Sequence, residues 1–150
     1  MSGEPTLEGV RACVFDAYGT LFDVASAAAG CGDALGDRAT ALAALWRDKQ
    51  LQYTWLRTIQ RRHADFWQVT GDALDYALET LSLAQPGLRE RLMALYATLA
   101  PYPDVPDALR RLQTAGVRMA ILSNGSPAML DAAVASAGLG GLFDVVLSVE

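Results

Sequence analysis

Cys13-Val14-Phe15-Asp16-Ala17-Tyr18-Gly19-Thr20-Leu21-Phe22-Asp23 decides how the rest of the chain reads. Ala12 to Phe15 is a short apolar run of strand length, and it ends on an acid followed by a glycine-containing turn. That pattern predicts a buried strand of a parallel α/β sheet. Ligands bind just past the carboxyl ends of such strands, which is where Asp16 would project. Asp is also an ordinary turn residue that hydrogen-bonds nearby amides. The turn alone leaves both roles open.

Outward from this stretch, the 150 residues suit one domain with an inserted subdomain. A chain of that size buries about two-thirds of its unfolded surface. Apolar residues make up 52% of it and the formal charge is −5, so nonspecific binding to nucleic acid is not expected. The two cysteines, Cys13 and Cys31, have neither metal-ligand spacing nor a disulfide framework. Cys13 reads as a small core residue of the first strand and Cys31 as part of a glycine-rich loop. No apolar run reaches membrane-span length, and Met1 to Pro5 lacks a charged-then-apolar signal pattern. The expectation is a reduced, cytoplasmic enzyme with no membrane partner.

Residues 1–9 read as a loose lead-in, and Val24 to Asp37 as a partly helical connection. From Thr40, Leu42, Leu45, Trp46, Leu56, Ile59 and Phe66 recur at roughly helical spacing, predicting a helix to about His63. Arg47, Leu51 and Trp55 form an adjacent stripe. Either Leu51 and Trp55 are core with Arg47 a surface cation, or the stripe faces Asp16. Thr70 is the expected N-cap of a helix over 71–83, and Gln85-Pro86-Gly87 separates it from another over 88–99. After the stiff link Pro101-Tyr102-Pro103, the pattern becomes helix (105–114), strand (117–122), turn (Ser123-Asn124-Gly125), helix (127–137) and strand (144–149). Ser126 and Pro127 are the expected N-cap and first residue of the last helix. The order predicts an α/β fold, a Rossmann-like parallel sheet core (1–24 and 100–150) carrying an all-helical cap (25–99). The single histidine, His63, excludes His-dependent triads and multi-His metal sites.

Asp16-Ala17-Tyr18-Gly19-Thr20-Leu21-Phe22-Asp23 resembles the first motif of the haloacid dehalogenase superfamily, specifically its 2-haloacid dehalogenase branch. Ser123-Asn124, closing the Met119-Ala120-Ile121-Leu122 strand, resembles the second motif. Trp46 to Arg57 is similar to the branch's cap helix. Phosphatases of the superfamily carry a second Asp two residues after the nucleophile, as acid/base, and bind Mg²⁺; Tyr18 stands there in this chain. The substitution removes the proton donor that a phosphate-ester leaving group needs. The resemblance implies hydrolysis of short (S)-2-haloacids to (R)-2-hydroxyacids without metal or other cofactor, by a homodimer.

A carboxylate is ionised at neutral pH, its ordinary pKa being about 3.9. Asp16 is therefore expected to attack C2 directly, inverting the carbon and forming an ester. The departing halide gains charge opposite Asp16, so its cation must come from another unit; Arg47 on the cap supplies it, with Asn124 as a neutral donor. Thr20 and Ser123 are expected to hold the Asp16 carboxylate. Tyr18, Leu51 and Phe66 are expected to wall the substrate's alkyl group, with Ala17, Ser123 and Asn124 also contacting substrate. The chain departs from the family at Asp48, where Gln is typical; an acid there weakens Arg47's pull on halide or alters substrate choice. The family's third and fourth motifs, a Lys and a water-positioning group, fall beyond Glu150, as do two core strands on the far side of the Asp16 strand. The expectation is a fragment of a longer protein whose Asp16 strand forms a sheet edge. A superfamily phosphatase and an inactive folding or interaction module are the alternatives.

Overall fold

A computed structural model describes residues 8–150; of the lead-in, residues 1–7 lie outside the described residues. Apolar strand-length runs give three strands, β1 (Ala12–Phe15), β2 (Arg118–Ser123) and β3 (Val145–Ser148). They form one parallel sheet in the order β1-β2-β3, with Val14, Ala120 and Val145 in register. Parallel neighbours require crossovers, and these are helical. Between β1 and β2 come α1 (Ser26–Ala29), α2 (Gly32–Leu35), a 3₁₀ turn (Gly36–Arg38), α3 (Ala39–Ile59), α4 (Phe66–Thr80), α5 (Leu88–Tyr96) and α6 (Val105–Thr114). A single helix, α7 (Pro127–Ser136), joins β2 to β3. The α/β class and the helical cap read from the sequence are both present.

Among the described residues β1 lies at the sheet edge, as expected for the Asp16 strand without the two downstream core strands, and not buried as its apolar run alone suggests. Its residues alternate between exposed and half-buried, and Val14 is 63% exposed. One sheet face carries Phe15, Met119, Ile121, Ser123 and Val146 toward the interior, with α6 against β2 and α7 against β3. Among the described residues the opposite face, with Val14, Leu122, Val145 and Leu147, stays open. Cys13 is half-buried on the inner face, and Cys31 is fully buried at the start of α2; neither is paired.

The helix ends follow local chemistry. Ser126 caps α7, accepting the Met129 N–H at 3.4 Å, with Pro127 as first helical residue. α4 begins five residues before the expected start, because Asp65, not Thr70, is its N-cap and accepts the Gln68 N–H at 2.7 Å. Thr70 lies buried inside the helix, its hydroxyl donating back to the Phe66 carbonyl at 2.6 Å. The helix expected to reach His63 stops at Ile59, and α5 stops at Tyr96. α3 packs along α4 and α1 packs against α5, giving the cap its own interior. Leu42, Trp46, Phe66, Leu74, Leu92 and Tyr96 are buried there, in one cluster with Tyr18, Phe22 and Ile121 of the sheet unit.

Candidate active site

The loop after β1 is tight enough to fold back on its own acid. The Ala17 carbonyl accepts from the N–H groups of Leu21 (2.9 Å) and Phe22 (3.0 Å), and the Gly19 N–H donates to the Phe22 carbonyl at 2.9 Å. Gly19 has φ +90°, a conformation open to glycine at little cost. The turn brings Thr20 back to Asp16, where its hydroxyl donates to Oδ2 at 3.1 Å. Ala17 and Tyr18 point inward and are buried, while Asp16 is exposed at the sheet's carboxyl edge.

Tyr18 anchors this loop to the cap. Its ring stacks on Tyr96 (5.6 Å, 15°) and lies 5.4 Å from Phe66. Burial first, and the neighbouring Tyr96 second, push its hydroxyl well above the ordinary tyrosine range. The second loop closes on the same ring. A Cβ on Gly125 would stand 2.6 Å from the Tyr18 ring, so only glycine fits without a shift. Ser123 is buried at the end of β2 and its Oγ accepts the Gly125 N–H at 3.2 Å; Ser148 of β3 donates to the Gly125 carbonyl at 2.7 Å. Extending the β1–β2 register puts Ser123 level with Ala17. Among the described residues Ser123 makes no hydrogen bond to Asp16.

Arg47 reaches this loop from α3. Its Nη2 donates to the Tyr18 carbonyl at 2.8 Å and lies 3.0 Å from where a Gly19 Cβ would stand. Its Nη1 donates to Gln50 Oε1 at 2.8 Å. The cation is half-buried directly above the turn that carries Asp16 and Thr20. Tyr96 reports the same neighbourhood: burial pushes its hydroxyl up to about 12, Gln50 and Arg47 pull it down, and the Asp16 charge pushes it up. Asp48 is exposed, and the guanidinium of Arg47 is held by Tyr18 and Gln50 instead.

The other expected site residues divide. Phe66 and Asn124 line an open cleft of about 380 Å³ with Arg57, Arg61, His63 and Glu150. Asp16 is not part of that lining, although Phe66 also touches Tyr18. Leu51 is half-exposed, and among the described residues it stands outside the buried core cluster. Trp55 is 61% exposed, which removes it from the core.

Gln50 and Tyr96 were not among the expected site residues, and Thr70 was expected only as a helix cap. Gln50 is 1% exposed and its amide donates to Thr70 Oγ1 (2.7 Å) and the Tyr96 hydroxyl (2.9 Å). The available signal was spacing: Leu42, Trp46 and Gln50 fall four apart, so a polar residue occupies a buried helical stripe.

With this geometry in place, comparisons with known proteins are decisive at the level of family. The model of the haloacid dehalogenase-like hydrolases matches residues 10–150. The chain belongs to that family. It is 48% identical to (S)-2-haloacid dehalogenase 4A of Burkholderia cepacia over 145 residues, 96% of this chain and 63% of that protein. A dehalogenase crystal structure superposes with a TM-score of 0.90 at 48% identity, covering 95% of this chain and 64% of the other. The L-2-haloacid dehalogenase of Xanthobacter autotrophicus, with chloropropionic acid covalently bound, gives a TM-score of 0.83 at 48% identity, covering 93% of this chain and 57% of the other. The chain thus spans less than two-thirds of these relatives' length.

Proposed function

We propose that the protein carrying this chain hydrolyses short (S)-2-haloacids to (R)-2-hydroxyacids and halide. The observation that carries this is Arg47, delivered by the helical insertion onto the loop that holds the Asp16 carboxylate. A nucleophilic carboxylate and a cation from opposite units suit a displacement in which negative charge moves from one side of a carbon to the other. Similarity to (S)-2-haloacid dehalogenases, at 48% and 46% identity, supports the same substrate class.

In the first step an Asp16 oxygen bonds to C2 as the carbon–halogen bond breaks, and the halide leaves with its electron pair toward Arg47 and Asn124. Thr20, bonded to Oδ2, restricts the carboxylate's orientation, and Ser123, buried at the end of the neighbouring strand, is the second residue assigned to hold it. Water then attacks the ester carbonyl, returning Asp16 and releasing the hydroxyacid and a proton. Ala17, Tyr18, Leu51 and Phe66 exclude competing water around the alkyl group. The described part of 1–24, together with 100–150, is read as the core and 25–99 as the cap. Tyr18, standing where a phosphatase acid/base would be, disfavours phosphate esters.

Exposed Trp55, Leu56 and Ile59 on α3 support a homodimer joined through the cap. The unpaired cysteines support a reducing, cytoplasmic setting. Halide release from each enantiomer of 2-chloropropionate tests the proposal. The full-length protein turns over the (S) form and Asp16→Asn releases no halide; near-normal release by Asp16→Asn removes the nucleophile and the proposal with it.

A further inference from the structure

Gln50 is a fully buried polar side chain of the cap, 1% exposed, and its hydrogen bonds run in one direction. A guanidinium only donates, so the Gln50 atom 2.8 Å from Arg47 Nη1 is its carbonyl oxygen. Its amide nitrogen therefore faces Thr70 Oγ1 and the Tyr96 hydroxyl. Thr70 has committed its own proton to the Phe66 carbonyl, so it accepts from Gln50 and cannot donate to it. The Thr70 backbone is pinned in turn, its carbonyl accepting from Trp46 Nε1 at 2.9 Å. Flipping the amide would set donor against donor at Arg47 and lose two bonds. Only one orientation satisfies all three partners.

Resting on the assignment of Arg47 as the cation that receives halide, we infer that Gln50 is a positioning residue for that cation. It fixes Nη1 through a neutral acceptor while the Tyr18 carbonyl fixes Nη2. Neutrality matters as much as position. A carboxylate at 50 would pair with Arg47 and cancel the field the leaving halide needs. It would also present no donor to Thr70. Gln supplies one acceptor and two donors without net charge, a combination that neither Glu nor an apolar residue offers.

The test is a double-mutant cycle in the full-length protein, with kcat, KM and inhibition by bromide as readouts. Gln50→Met lowers kcat about 10- to 100-fold with KM changed by less than about threefold, because a displaced cation costs chemistry more than substrate binding. The same substitution in an Arg47→Ala background costs no further rate. Gln50→Glu keeps the side-chain volume and weakens bromide inhibition by about tenfold, since a carboxylate screens the cation. A purely structural Gln50 would lower the melting temperature equally in both backgrounds and leave kcat per folded molecule and bromide inhibition unchanged, which overturns the inference. Near-normal turnover by Arg47→Ala alone identifies a different failure, that of Arg47 itself. Should Gln50→Met not fold, the bromide readout on Gln50→Glu decides alone.

Discussion

The two halves of α3 share one helix and little else. From Ala39 to Gln50 the helix turns Leu42, Trp46 and Gln50 inward and holds Arg47 between two carbonyl oxygens. From Leu51 to Ile59 it carries Trp55, Leu56 and Ile59 outward, with Ile59 78% exposed. The first half is tied to α4 and α5 by side-chain hydrogen bonds that leave its buried amide satisfied. In the second, Tyr53 packs against the core and Arg57 pairs with Asp72 at 2.5 Å, at a site open enough for solvent to weaken the pair. A helix can therefore be rigid where it delivers a charge and still offer apolar surface a few turns later.

That contrast can be broken by matched tryptophans. Trp46→Ala, in the buried half, removes a core ring and the bond to the Thr70 carbonyl, and should cost about 3–5 kcal/mol in denaturant unfolding. Trp55→Ala, nine residues on and largely exposed, should change stability by less than about 0.5 kcal/mol. Equal losses at both positions would erase the division.

The smallest effect sharpens it. Ile59→Asp should shift the protein toward monomer in sedimentation while leaving turnover per folded site unchanged, since it alters a surface and touches nothing near Arg47. A dimer that survives this change would move the interface elsewhere. A lost dimer accompanied by lost turnover would couple the two halves of the helix.

Much of this organisation was legible because local signals agreed with one another. The Asp16 turn combines an apolar run, an acid and a glycine, and Ser126-Pro127 combines a cap with a residue suited to the first helical position. Thr70 was misread because a threonine inside a helix can bond back one turn as readily as it caps. Asp65, a better cap, lay behind two residues whose apolar character belongs to the helix itself. Trp55, Leu56 and Ile59 kept helical spacing beyond the point where α3 has a partner to bury them, and periodicity alone does not say where the partner ends. The apolar run of β1 reads the same at an edge as at the centre; its edge position came instead from where the family's remaining core strands would lie. Gln50 was invisible for another reason: its partners lie 20 and 46 residues away, and only the packed cap brings them together.

The measurement closest to the central claim is a single turnover in ¹⁸O-water with enzyme in excess over (S)-2-chloropropionate. Attack by Asp16 on C2 takes the product's new oxygen from the carboxylate, so the label should appear first in the peptide containing Asp16 while the hydroxyacid remains unlabelled. Label found directly in the product hydroxyl, with the Asp16 peptide unchanged, would contradict the account.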